Sequence, residues 1–179
     1  KNRFYFRPKI DNGSYNRLTK SQYILKDTIS QPIEIIIDAG ANIGSQAIRF
    51  ANLNSRLKNI ICIEPDTANA EICKKNLQNY VATVYNNALA SNSDKDLLIQ
   101  NTLNSEMSEI VNNVDNSLIK SNHLNKIKSI SINDIINKEN INKIDFIKLD
   151  INGSENEVFS KNIEWLEITN CLAFNNAHI

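Results

Sequence analysis

Ile35 to Ala51, IIIDAGANIGSQAIRFA, constrains this chain more than any other stretch. Ile33 to Ile37 is β-branched apart from Glu34 and predicts a buried strand, which Asp38 closes. Gly40 and Gly44 bracket a tight turn. Ile43, Ala47, Ile48 and Ala51 then mark one face of a helix. Glycine in such a turn tolerates positive φ and lets a ligand lie against bare backbone. The first N–H groups of the helix face whatever the turn holds. Strand, glycine turn and helix together are the opening unit of a nucleotide-binding α/β sheet.

The chain continues in the same alternation. Asn59 to Glu64 predicts a second buried strand. Pro65-Asp66 starts a helix, with Asp66 as N-cap and Ala68, Ile72, Cys73 and Leu77 inward. Val81 to Tyr85 predicts a third strand, ending at Asn86-Asn87-Ala88. A further short strand is expected at Asp96 to Gln100, another at Ile127 to Ile132, and a short helix at Ser131 to Lys138. Lys143 to Asp150 predicts the fourth core strand, with a turn at Asn152-Gly153-Ser154 and a helix at Glu155 to Phe159. Cys171 to Phe174 predicts the fifth strand. Asn101 to Asn125 is polar and weakly periodic, which fits a lid or an irregular insertion. Residues 1–32 read as a flank: a short edge strand in Lys1 to Ile10, a turn at Asp11 to Ser14, and a helix at Leu18 to Ile29. The expected fold is α/β, a mainly parallel sheet with helices on both faces spanning residues 33–179.

At 179 residues the chain suits one domain with a sizeable core. Its 20 basic and 20 acidic residues balance, so no electrostatic case exists for nucleic acid or an anionic membrane surface. No apolar run reaches the ~18 residues of a membrane span. The three cysteines form no CxxC pair and fit reduced thiols in a cytoplasmic protein. Asn and Ile each make up about a sixth of the chain, a bias scattered through well-patterned elements. With Lys1 first and Met107 as the one methionine, the chain reads as a piece of a longer one. Nothing in the sequence specifies an oligomeric state.

In a parallel sheet the ligand crevice lies at the carboxyl ends of the strands. Asp38, Glu64, Asn86-Asn87 and Asp150 all end there. Glu64 lies twenty residues past Gly44, where a carboxylate accepts hydrogen bonds from the ribose hydroxyls of an adenosine. The turn is not G-x-G-x-x-G, since Asn42 stands in the second glycine's place. Asp38 also disfavours a pyrophosphate and suits a ligand with a cationic group. S-adenosylmethionine, with an ammonium and a sulfonium, meets that requirement; NAD, with two phosphates, does not. Lys148 is mid-strand in a buried run and needs a carboxylate partner or a path to the crevice. Asp38, Asp150 and Glu155 are the possible partners. Of the two histidines, His123 falls in the polar insertion and His178 follows the fifth strand, where it could deprotonate a hydroxyl.

The chain resembles the FkbM-type family of S-adenosylmethionine-dependent methyltransferases over most of Ile33 to Ile179. DAGANIGSQAIRFA is similar to the family's first motif, and IEPD, Ile63 to Asp66, to its second. SINDIINKENINKIDFIKLDINGSENEVF, Ser131 to Phe159, resembles its most specific block. The resemblance implies a Rossmann-like class I methyltransferase fold and methyl transfer to a hydroxyl of a small molecule or sugar. It implies that Asp38, Gly40, Asn42 and Gly44 hold the methionine end of the cofactor, that Glu64 takes the ribose, and that Asn87 and Ala88 lie beside adenine. It places Lys148, Asp150, Gly153 and Glu155 toward the methyl group or acceptor, with Asp150, Lys148 and His178 as the catalytic candidates. Two positions depart from the family pattern: Asn152 and Asn176 stand where it carries glutamate. The family's C-terminal strand hairpin has no counterpart before Ile179. A non-catalytic module of the same fold, and an NAD-dependent oxidoreductase, are the alternatives.

Overall fold

The β-branched run forms β1, Ile35–Ala39, and the glycine turn delivers the chain into α1, Ser45–Leu53. A computed structural model of the chain describes residues 3–8, 10–11, 13, 32–101, 108–110 and 124–174. The expected helix at Leu18 to Ile29, and His123, Asn176 and His178, lie outside the described residues. Along the rest run β2 (Asn59–Ile63), α2 (Thr67–Leu77), β3 (Ala82–Tyr85), β4 (Ala88–Leu89), β5 (Asp96–Asn101), β6 (Ser108–Ile110), β7 (Leu124–Ile130), α3 (Ile132–Glu139), β8 (Phe146–Leu149), α4 (Glu155–Val158), a 3-10 helix (Glu164–Ile168) and β9 (Leu172–Phe174).

The main sheet is wholly parallel, in the order β3-β2-β1-β8-β9. Strand order reverses at β1, so the chain winds outward in both directions and a crevice opens between the carboxyl ends of β1 and β8. Helices cover both faces. Ala47, Ile48 and Phe50 of α1 and Cys73 and Leu77 of α2 pack with Ile36, Ile60, Cys62 and Phe146 on one face. Ile132 and Ile135 of α3, Val158 of α4 and Trp165 pack with Ile37, Ile61, Ile63, Ile147 and Leu149 on the other. This is a Rossmann-like α/β fold.

Several expectations shift. Asp38 does not close β1; it lies inside the strand, in register with Cys62 and Lys148. Strands β4, β5, β6 and β7 build a second sheet, in the order β4-β7-β5-β6, where the sequence predicts separate short strands and an insertion. Leu89 and Ile130 join it to the core of the main sheet. Its connection to α4 is polar: Glu157 accepts from Ser91 N and Ser91 Oγ, both at 2.9 Å. The inward face of α2 is also rotated. Ala68 is exposed, whereas Asn69 and Asn76 are buried with Ala70, Cys73 and Leu77. The two asparagines face inward because they have polar work there. Asn76 donates to Ile43 O (2.8 Å) and Tyr5 O (2.9 Å) and accepts from Tyr5 N (2.6 Å). Asn69 accepts from Arg7, whose guanidinium also pairs with buried Asp11. Residues 3–8 therefore dock on α2 through side chains, not as the expected edge strand.

At the opposite end of the sheet Asp145 accepts from Glu34 N (2.8 Å) and Ile35 N (3.0 Å) and pairs with Lys143 (2.7 Å). Burial alone would raise its carboxyl, but Lys143 and the two backbone N–H groups hold it below the usual carboxylate range. The staple ties the entry of β1 to β8.

Three glycines adopt positive φ, and at two of them space is as restrictive as conformation. A Cβ on Gly40 (φ 73°) would lie 2.0 Å from the carbonyl oxygen of Asp150, and one on Gly44 (φ 83°) 3.0 Å from Cys73 Sγ. Gly40→Ala must push the end of β8 away from β1, so it is expected to cost about 3 kcal/mol or more in urea unfolding. Gly44→Ala meets a movable side-chain sulfur and is expected to cost roughly half as much. The reverse ranking would show that the β1–β8 junction yields easily.

Candidate functional site

The crevice is built around an ion pair. Lys148 Nζ lies 2.8 Å from Asp38 Oδ1, and the side chains are 3% and 0% exposed. The same ammonium donates to Ala39 O (3.3 Å) and Gly40 O (3.0 Å), the last carbonyls before the turn. Its donors are thus directed at the end of β1. Through these contacts Lys148 ties β8 to the end of β1 and the start of the turn. Burial pushes the Asp38 carboxyl up, while Lys148 pulls back against it. The other oxygen, Asp38 Oδ2, is buried and has no hydrogen-bond partner among the described residues.

The turn is pinned from β2. Gly40 N and Ala41 N both donate to Ile63 O, at 3.0 and 3.1 Å. Asn42 adopts a left-handed conformation (φ 52°), its N–H donates to Glu64 Oε2 at 2.8 Å, and its Oδ1 accepts from Ile43 N at 2.7 Å. Glu64 also accepts from Asp66 N (3.0 Å) and Asn69 Nδ2 (3.4 Å), so one carboxylate ties the turn to the start of α2. Asp66 caps α2 as expected, accepting from Asn69 N at 2.7 Å. Burial raises Glu64 to about 7, even though the N–H groups of Asp66 and Asn42 and the Asn69 amide favour its charged form. Gly40 makes room for Asp150 and Gly44 for Cys73.

Asp38, Gly40, Asn42, Gly44, Glu64, Lys148 and Asp150 therefore converge at one sheet edge. Asp150 sits half-buried just past β8, its N–H bonded to Ala39 O at 3.1 Å. Glu155 is buried and accepts from Ile151 N at 3.1 Å, closing the turn through Asn152 and Gly153, both at positive φ. The two residues expected beside adenine, Asn87 and Ala88, follow β3. Ala88 is buried in β4, within the second sheet. Half-buried Asn87 donates to Lys128 O of β7 at 3.1 Å. Asn86 instead lies over the end of β2, donating to Glu64 O (2.9 Å) and Pro65 O (3.0 Å). Ser45 and Gln46, the first residues of α1, went unremarked in the sequence. Both are buried, and the Ser45 hydroxyl and both Gln46 amide atoms have no hydrogen-bond partner among the described residues. Two polar residues directly after a glycine turn were the available signal. Among the described residues no group of three or more His, Cys, Asp or Glu gathers as a metal site, and no helix is long and apolar enough to cross a membrane.

A family model describing the methyltransferase FkbM domain matches residues 38–171, which takes in the glycine turn, the Asp38–Lys148 pair and the second sheet. The chain belongs to the FkbM methyltransferase family. No curated protein and no solved structure gives a significant match. The FkbM match begins at Asp38, the residue on which the crevice is built, and ends at Cys171, one residue before β9.

The ion pair and Glu64 give separate tests in this FkbM domain. Lys148→Met leaves the Asp38 charge buried with no cation and is expected to cost about 3–5 kcal/mol of stability. Adding Asp38→Asn should restore a substantial part of that loss in urea titrations. Strict additivity of the two substitutions would show that the pair is not coupled. For Glu64, a folded-state pKa near 7 against an ordinary 4.5 means that the folded protein holds the proton more tightly. Stability is then full below pH ~4.5, declines as pH rises through 7, and levels off above it, by on the order of 3 kcal/mol. Glu64→Gln should remove that component of the pH profile. A wild-type-like slope in the variant would place the titration elsewhere.

Proposed function

We propose that this FkbM-family domain is an S-adenosylmethionine-dependent methyltransferase that O-methylates a hydroxyl of a small molecule or sugar. The observation that carries the reading is Asp38 Oδ2, a carboxylate oxygen buried at the strand crossover with no hydrogen-bond partner among the described residues. A buried anion with one side unmet favours a cationic ligand group and repels an anionic one. That matches the ammonium of S-adenosylmethionine and argues against the pyrophosphate of NAD.

The residues present fit the cofactor. Asp38 would hold the ammonium, and Gly40, Asn42 and Gly44 would shape the backbone around the methionine end. Glu64, at the end of β2, would accept the ribose hydroxyls, with Asn87 on the adenine side. When bound, S-adenosylmethionine supplies an electrophilic methyl group on a sulfonium sulfur. The chain's own contribution is then chiefly positional: holding an acceptor hydroxyl in line and excluding water. Asp150, half-buried at the end of β8, would take the hydroxyl proton, with His178 as the second candidate base. A non-catalytic module with the same fold is the second reading. It draws on the internal bonding of Lys148 and Glu155 and on Asn152 and Asn176 in place of glutamates.

Titration calorimetry with S-adenosylhomocysteine is expected to show micromolar binding, with no response to NADH. Because the ionised Glu64 is the form that accepts ribose hydroxyls, affinity should fall about tenfold per pH unit below 7, with proton release on binding. A folded protein that gives no heat at high micromolar ligand would overturn the cofactor assignment. Asp150→Asn should keep that binding while lowering methyl transfer by ~10²-fold or more. Binding without transfer to any hydroxyl acceptor by the wild-type protein would favour the non-catalytic module.

A further inference from the structure

Arg7 and Asp11 precede the FkbM domain in the chain and reach Glu64 through one asparagine. Ile10 N and Asp11 N both donate to Arg7 O, at 3.0 and 2.9 Å, which folds the chain back on Arg7. Asp11, 0% exposed, accepts from Arg7 N (2.6 Å), Nε (3.0 Å) and Nη2 (2.7 Å). Two-point pairing of this kind fixes the plane of a guanidinium. The same Nη2 donates to Asn69 Oδ1. Asn69 is 4% exposed, and its Nδ2 donates to Glu64 Oε1 at 3.4 Å. An asparagine amide can turn over and exchange its oxygen for its nitrogen. A guanidinium only donates, so Arg7 admits only the orientation that keeps Nδ2 on Glu64. Asp66 N shares that carboxylate oxygen (3.0 Å), and Asn42 N holds the other (2.8 Å). Burial, and to a smaller degree the neighbouring Asp66 carboxylate, favour the proton on Glu64; the three N–H donors oppose it.

We propose that Arg7 is a positioning residue for Glu64, acting through the Asn69 amide. Its consequence for binding rests on the cofactor reading above, in which Glu64 takes the ribose. With Arg7 docked, the amide adds one N–H donor to that carboxylate and favours its ionised, hydroxyl-accepting form. Without Arg7 the amide turns over, and its oxygen faces Glu64 as an acceptor that only the protonated carboxyl satisfies. A segment outside the FkbM domain thereby sets the pH range over which the crevice accepts ribose hydroxyls. The relay needs no ligand to operate, so it can be read in the free protein.

The full chain, its glutamate carboxyls labelled with carbon-13, is titrated with acid and base by NMR, and Glu64→Gln identifies the Glu64 signal. Arg7→Met is combined with Asp11→Asn, so that no buried charge is left unpaired. The pair of substitutions should raise the Glu64 midpoint by about 0.5–1 pH unit. Asn69→Leu should raise it by a similar amount. Adding Arg7→Met and Asp11→Asn to Asn69→Leu should move it no further. Additive movement would show that Arg7 acts through its charge and not through the amide, and overturns the proposal. Arg7→Lys keeps the cation and loses the fixed plane, so it should raise the midpoint by a smaller amount. An unmoved midpoint in a folded Arg7 variant also overturns the proposal. S-adenosylhomocysteine, titrated by calorimetry, should bind the Arg7→Met, Asp11→Asn protein about two- to fivefold more weakly at pH ~7 and equally at pH ~9. If the midpoint moves as expected and the wild-type protein gives no heat with this ligand, the relay stands and the cofactor reading falls. If the ligand binds and the midpoint stays, the relay falls and the cofactor reading stands.

Discussion

Lys148 directs its ammonium at Asp38 Oδ1 and at the carbonyls of Ala39 and Gly40, and the crevice depends on that arrangement. Ion pairing at this depth is weak evidence of stability by itself, since desolvating two charges costs about what their attraction returns. Its structural effect is clearer. β1 and β8 are the two strands between which the order of the sheet reverses, and Asp38 and Lys148 are register partners across that line. The pair joins the two halves of the winding where they would otherwise diverge around a ligand. By holding the carbonyls of Ala39 and Gly40 it also fixes how the chain leaves β1. Gly40 then approaches Asp150 closely enough to exclude any side chain. Turn, ion pair and β8 terminus are one mechanical unit, and Glu64 attaches that unit to β2 and α2 through Asn42 N and Asp66 N.

The asparagine bias of the chain acquires a conformational meaning in this frame. With only four glycines in 179 residues, left-handed backbone must come from other residues. Among the described residues five non-glycines adopt positive φ, and four are asparagine: Asn42, Asn140, Asn152 and Asn162. Asparagine tolerates that region better than any residue with a larger or branched side chain. Asn42 therefore stands where a dinucleotide-binding turn has its second glycine and still makes the turn. Asn140 ends α3 as its left-handed C-cap. Asn152 precedes Gly153, so two successive left-handed residues bend the chain from β8 into α4. A glutamate at 152 would have to adopt φ near 54° at a cost of about 1–2 kcal/mol. The departure from the family pattern at that position thus has a backbone rationale as well as a chemical consequence.

How much of this was legible in the sequence varied with the kind of interaction. β1, β2 and β8 were visible because strands buried on both faces are continuous apolar runs. Asp66 was visible as a helix start because capping is local chemistry, and its side chain caps α2 as expected. The second sheet was not legible. β4 has two residues and pairs with β7 some forty residues away, so no local periodicity announces it. The face of α2 was misread because apolar spacing was taken as the guide, whereas Asn69 and Asn76 turn inward for hydrogen bonds to Glu64, Arg7, Tyr5 and Ile43. In the site, Asp38, Glu64 and Lys148 were identifiable as polar residues ending or interrupting apolar strands. Asp38 stood among three possible partners of Lys148, and the strand order selects it across 110 residues.

The unsatisfied groups give the site its energetic character. Each buried polar atom without a partner costs about 1–3 kcal/mol, and Asp38 Oδ2, the Ser45 hydroxyl and the Gln46 amide lie at one end of the sheet. A fold with two apolar cores can tolerate that cost, and evolution toward stability alone would remove it with three apolar substitutions. Its presence at the crossover, next to a helix end with no cap, is best understood as binding free energy held in reserve. A ligand that satisfies these atoms recovers the desolvation cost the folded chain has already met, with little further ordering, because the turn is fixed by Ile63, Glu64 and Lys148 before anything binds. The same rigidity limits what can enter. Polar atoms that cannot rearrange to satisfy one another stay unmet until something with complementary charge reaches them.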